Sequence, residues 1–167
     1  YDFQQGKWYR AVEPGGWTVV NLHPPGALSS SAVGVQDYRQ VGQVTSLNYD
    51  NHASLWSGTS AWVNLTPAGC MAGSDAKGIG GGRQVGQSCS SHAGMWSGTA
   101  ASWVDLDPGA FYSIAFDTDG VQQVGRTVFG SWSADSRAAL WYGTAASYVN
   151  LHPSIASSST CFGVDGG

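Results

Sequence analysis

An all-β fold assembled from repeated four-stranded units is what this sequence predicts, on three observations. The phrase "HASLWSGTSAWVNLTP" (His52 to Pro67) returns as "HAGMWSGTAASWVDLDP" (His92 to Pro108) and "RAALWYGTAASYVNLHP" (Arg137 to Pro153). The prolines that close it, Pro24, Pro67, Pro108 and Pro153, are spaced by 43, 41 and 45 residues, a period typical of solenoid repeats or propeller blades. No segment holds a 3.6-residue apolar period long enough for a helix.

Each unit parses into four short strands. The first is "SAVGV" from Ser31, repeated as "DAKGI" from Asp75 and "IAFDT" from Ile114. A Gly- and Asp-rich turn leads to the second, the Gln-Val-Gly strand at Gln40, Gln84 and Gln123. The third is "HASLW" and the fourth "AWVNL", which ends at a proline whose missing N–H stops pairing. Between these two, Gly58, Gly98 and Gly143 supply the permissive backbone that a tight reversal needs. Leu55, Trp62 and Leu65 recur as Met95, Trp103 and Leu106, then as Leu140, Tyr148 and Leu151, residue types suited to a pleated, packed surface.

Four strands in about 42 residues is the propeller-blade pattern. Small residues fill the first-strand column: Ala32, Ala76, Ala115 and Cys161, with Gly34, Gly78 and Gly163 two positions on. Innermost strands that crowd an axis require this. The sequence is therefore read as one small β-propeller domain over residues 1–167, with four blades of four antiparallel strands. The blades run about 25–67, 68–108 and 109–153, and a closing blade joins 154–167 to 1–24. The C-terminal "SSSTCFGVDGG" would give that blade its first strand, and "QQG", "YRAV" and "TVVNL" near the N-terminus the other three. Closure removes the exposed sheet edge. The alternative is a segment of a larger ring closed by a second chain.

The pattern "QVG…HAxLWxGTAASxVxLxP" resembles the HAF-type extracellular repeats of secreted bacterial proteins. The resemblance covers nearly the whole chain and implies an exported, propeller-like protein. It assigns no site. The first unit departs from it, with "EPGG" in place of the Trp-x-Gly-Thr phrase.

Charge excludes several functions. A net charge of −4 from 11 acidic and 7 basic residues gives no basic stripe for nucleic acid or anionic lipid. No apolar run approaches the ~18 residues of a membrane span. No cofactor is required by any motif. Asp117 and Asp119 in "FDTDGVQ" resemble the opening of a calcium loop, yet its later ligands are missing, so an Asp-Gly turn is the better reading. A structural Ca2+ or other cation on the axis, held by inner-strand carbonyls, remains compatible with the sequence. Catalysis is not expected: the sole glutamate is Glu13, and paired carboxylates, a P-loop and a Gly-x-Ser-x-Gly elbow are missing.

Residues that recur in every unit are read as scaffold. His52 and His92 exchange with Arg10 and Arg137, which fits a donor tying blades together and not a shared metal ligand. Trp56, Trp96 and Trp141 are assigned to packing between blades, and His23 and His152 to capping the outer strand. Cys161 reads as a small buried apolar residue, while Cys70 and Cys89 either pair or stay free. What varies is the loop between second and third strands, which spans 13 residues from Gln40 to Ala53, 9 from Gln84 to Ala93 and 15 from Gln123 to Ala138. Binding residues concentrate in such loops on a rigid scaffold. Tyr49, Asp50, Asn51, Trp132 and Asp135, joined on the same face by Phe111 and Tyr112, combine aromatic platforms with hydrogen-bonding groups. The expected function is a non-enzymatic, extracellular binding module whose partner is a glycan or another extracellular protein. The alternative is a self-assembling unit of a surface layer, matrix or filament.

Overall fold

The computed structural model describes residues 18–70, 73–89, 91–130 and 135–166, together with the backbone of two short strands, β1 (Asp2–Gln4) and β2 (Lys7–Tyr9). Three antiparallel four-stranded sheets carry the chain. The first holds β3 (Ser29–Gln36), β4 (Arg39–Thr45), β5 (Asn51–Trp56) and β6 (Trp62–Asn64) in that order. The second holds β7 (Asp75–Gly80), β8 (Arg83–Ser88), β9 (His92–Trp96) and β10 (Val104–Asp105). The third repeats the meander with β11 (Tyr112–Thr118), β12 (Gln123–Val128), β13 (Ser136–Trp141) and β14 (Val149–Asn150). The expected strands are all found in these three units. The fourth is shorter than anticipated in the second and third units, where Ala100–Ser102 and Ala145–Ser147 each form a single 3-10 turn.

Two devices explain why the phrase repeats. In each sheet the register slips once in the first strand, between Ala32 and Gly34, Ala76 and Gly78, and Ala115 and Asp117. Across from the slip stands the glycine of Gln-Val-Gly. A Cβ on Gly42, Gly86 or Gly125 would lie 1.9, 2.0 or 1.9 Å from the carbonyl oxygen of Ser31, Asp75 or Ile114. Only glycine fits that approach. The reversal before the fourth strand uses Gly58, Gly98 and Gly143 at φ of 72°, 85° and 80°, the left-handed region where a side chain is strained.

The sheets pack in series, first to second and second to third, with the first strand of each laid on its predecessor. Val41, Ala53, Leu55 and Leu65 of the first sheet share one core with Ala76, Ile79 and Trp96 of the second. Val85, Ala93, Met95 and Leu106 of the second share the next with Ala115, Ala139 and Trp141 of the third. Trp96 and Trp141 thus lie between units, as expected. Removing a buried indole of this kind costs about 3–5 kcal/mol.

A serine stitches each junction. Ser74 Oγ accepts the backbone N–H of Ala53 at 2.8 Å, and Ser113 Oγ that of Ala93 at 2.8 Å. Ser159 Oγ accepts the N–H of Ala138 at 2.9 Å, so the C-terminal segment docks on the third sheet as the first strand of a further unit would. Cys161 N–H donates to the Gly125 carbonyl at 3.1 Å, and Val164 N–H to Asp117 Oδ2 at 3.1 Å.

Among the described residues the sheets do not close into a ring, so the fourth blade expected from residues 154–167 and 1–24 is not completed there. Among the described residues β1 and β2 pair only with each other, so Gln4 belongs to a local hairpin and not to a strand beside Cys161. Residues 18–22, the expected "TVVNL" strand, form no strand, and residues 10–12 of "YRAV" lie outside the described residues. Cys161 is half-buried and not a core residue, and among the described residues no further strand covers it. Cys70 and Cys89 are joined in a disulfide. Among the described residues no helix is long and apolar enough to cross a membrane.

Candidate functional site

The ends of β4, β8 and β12 and the starts of β3, β7 and β11 all lie at one end of the stack, as the pairings Ser29 with Thr45, Asp75 with Gln87 and Tyr112 with Val128 require. The variable loops rise there. In the first unit the loop is built on Ser46, whose N–H donates to the Asp50 carbonyl at 2.9 Å and whose carbonyl accepts the Tyr49 N–H at 2.9 Å. Tyr49 is left at φ 65° and 78% exposed. In the second unit the shorter loop places Cys89 at φ 50° and Ser91 at φ 73°. Non-glycine residues in this region carry strain that often marks binding or switch segments. The Cys70–Cys89 disulfide joins this loop to the one that precedes β7.

Between the two loops lies a polar cleft of about 100 Å3, bordered by Gln43, Asn51, Asp75, Gln87, Ser88 and Ser91. Strand alternation points Gln43 the same way as Val41, toward the second sheet, at the height where the apolar core has ended. Gln87 borders it from β8, on the face it shares with Val85, and its Oε1 is buried without a hydrogen-bond partner among the described residues. Asp75 is held by an ion pair with Lys77. Amides, hydroxyls and one carboxylate on a concave surface are groups that recognise hydroxyl-rich ligands.

The residues singled out from sequence divide. Asn51 borders the cleft and Tyr49 and Asp50 stand in the loop above it. Phe111 and Tyr112 lie at the same end of the third sheet, Phe111 67% exposed and Tyr112 with the Arg126 guanidinium 5.4 Å from its ring centre. Asp135 is engaged with Arg137 at 3.1 Å, and Arg137 lies 5.5 Å from the Phe129 ring centre. Trp132 lies outside the described residues. Gln43, Asp75, Gln87, Ser88 and Ser91 were missed, although a polar residue two places after a buried valine on the core-facing side was a legible signal.

The recurring histidines do structural work. His52 Nδ1 lies 3.2 Å from Thr66 Oγ1, which contacts Ser74 Oγ of the next unit at 2.5 Å. His23 and His152 bond Ser30 and Ser159 at 2.9 and 2.8 Å, at the start of a first strand and not as caps on the outer one. His92 bonds Asp105 within its own unit at 2.9 Å. That bond, with the nearby charges of Asp105 and Asp107, holds its pKa above the ordinary value against the opposing effect of burial. Asp119 accepts the N–H groups of Val121 and Gln122, each at 2.7 Å, which close an Asp-Gly turn. Backbone donation from Gln122 and then Val121 sets its pKa below the usual carboxylate value. Asp117 receives Val164, and among the described residues no group of three metal-ligating side chains is present.

No protein-family model, curated protein or solved structure matches the chain.

Proposed function

We propose that this chain is a non-enzymatic, extracellular binding module of propeller type that takes carbohydrate at its loop end. The observation that carries the reading is the polar cleft between the first two sheets, bordered by Gln43, Asn51, Asp75 and Gln87, with exposed Tyr49 in the loop beside it. A sugar offers hydroxyls to the amides and a C–H face to the tyrosine ring. The Cys70–Cys89 disulfide suits an oxidising, extracellular setting, and the resemblance to HAF-type repeats points the same way.

Leu65 and Leu106 are wholly buried by the next unit, whereas the equivalent Leu151 is 43% exposed. At the other end of the stack Val33 and Val35 of β3 are 57% and 71% exposed. The Leu151 face fits a fourth unit, whose first strand is the docked C-terminal segment. The same two faces favour a second reading, head-to-tail assembly of many copies.

A glycan array probed with the wild-type chain and with an Asn51→Ala/Gln87→Ala variant tests the proposal. The expected result is wild-type binding to at least one glycan class and its loss in the variant. An array on which the wild type binds nothing would end the carbohydrate reading.

A further inference from the structure

We infer that a second cleft, on the other side of the Ser46–Asp50 turn, is a stacking subsite for a single pyranose ring with Trp62 as its platform. The inference deepens the carbohydrate reading and rests on it. The cleft measures about 170 Å3 and is lined by Pro24, Pro25, Ser46, His52, Trp62 and Asn64. Its residues occupy the alternate face of β5 from the one that meets the second sheet, so the turn carrying Tyr49 separates it from the polar cleft.

The cleft exists because of one residue difference between units. The aromatic that opens the fourth strand is Trp62, Trp103 or Tyr148. In the second unit Trp103 lies flat on Gly94 and stacks on Trp96 with ring centres 4.6 Å apart, and a Cβ on Gly94 would stand 2.1 Å from the Trp103 ring. In the third unit Tyr148 contacts Trp141 at 6.1 Å, and its hydroxyl lies 3.1 Å from Thr127 Oγ1. Both rings are consumed in packing. In the first unit Ser54 stands where the second has Gly94, pairing with Asn64 as Gly94 pairs with Asp105. Its side chain denies Trp62 the seat that Trp103 takes. Trp62 faces His52 instead, with ring centres 6.2 Å apart.

The polar groups around this ring are already oriented. Asn64 Oδ1 accepts the Thr66 N–H at 2.8 Å, and Asn64 Nδ2 reaches His52 Nδ1 at 3.4 Å. An imidazole that accepts at Nδ1 carries its proton on Nε2, which leaves Nε2–H as a donor toward a ligand oxygen. Ser46 adds a hydroxyl, and the two prolines form a wall with little conformational freedom to lose on binding. An indole face with amide, imidazole and hydroxyl at its edge matches a pyranose, which presents C–H groups on one face and hydroxyls around its rim.

The test follows the indole N–H signals by NMR while methyl glycosides of glucose, galactose, mannose and N-acetylglucosamine are added. At least one should shift the Trp62 signal. Trp62→Phe and Ser54→Gly should each weaken that glycoside by ~10-fold or more, about 1.4 kcal/mol. Ser54→Gly removes no lining residue and acts only by letting Trp62 fold down, so its loss of binding would identify the displaced ring as the cause. Gln87→Ala should leave this binding within about twofold, since less than 1 kcal/mol separates such affinities. If glycosides shift backbone signals of Asn51 and Gln87 and leave Trp62 unmoved, the subsite is overturned while the carbohydrate reading stands. If no signal moves and the array is blank, both fail.

Discussion

The carboxamide oxygen of Gln84 accepts the backbone N–H of Gly98 at 2.7 Å, while its Nε2 donates to the Gly82 carbonyl at 3.0 Å. One wholly buried side chain thereby ties the turn between the first two strands to the turn before the fourth. Gln40 does the same with Gly58 and Tyr38, and Gln123 with Gly143 and Val121. This link explains why Gln-Val-Gly and Trp-x-Gly-Thr recur together: the glutamine of one phrase satisfies the glycine of the other. Gln84→Ala should lower stability by about 1–3 kcal/mol, because it removes two hydrogen bonds worth about 0.5–1.5 kcal/mol each. Urea unfolding at equilibrium reads the loss.

The glycine of the same phrase is held by contact and not by its turn geometry. Gly86→Ala would drive a Cβ against the Asp75 carbonyl, 2.0 Å away. Overpacking against backbone should cost about 3 kcal/mol or more, and a thermal melt should show a large fall in Tm beside a near-silent exposed change such as Val121→Thr.

Ser113 decides the junction between the second and third units. Its hydroxyl donates to Asp107 Oδ1 at 2.6 Å and accepts the N–H of Ala93 at 2.8 Å. Ser113→Ala should therefore cost about 1–3 kcal/mol. Amide exchange should report the loss at the Ala93 N–H before the rest of β9.

His92 should impose a weak pH dependence. Its folded-state pKa is raised, chiefly by the hydrogen bond to Asp105, so the folded form binds a proton more tightly than the unfolded chain. The stabilisation is fully present below the unfolded value near 6.5. It is lost as pH rises through the higher folded value. With the two side chains 36% and 48% exposed, solvent screening should keep the effect below ~0.5 kcal/mol. Titration of the His92 ring by NMR, with and without Asp105→Asn, should show the pKa drop in the variant.

The strands of three units were legible because each is set by local chemistry. Gly58, Gly98 and Gly143 announce a reversal, and the prolines at 67, 108 and 153 announce an end. The column of Ala76 and Ala115 correctly marks a crowded first strand, although the crowding observed is between successive sheets: a Cβ on Gly78 would lie 2.8 Å from Asp117 Cα. The clefts were harder to read. The polar one needs Gln43 and Gln87 to be recognised as core-facing residues beyond the core. The aromatic one depends on Ser54 against Gly94, a difference that looks conservative until Trp103 is seen lying on the glycine. Asp117 was read as part of a turn or cation loop, and its partner, Val164, stands 47 residues away.

The repeats of one chain form one scaffold, stacked sheet on sheet within a single molecule, with its loop end free to bind. The native particle mass in solution, by light scattering, tests this most directly. The expected particle is a monomer at 17.4 kDa, unchanged with protein concentration. A dimer or a growing series of multiples would contradict it, since the exposed faces of β3 and the third sheet would then be meeting between chains.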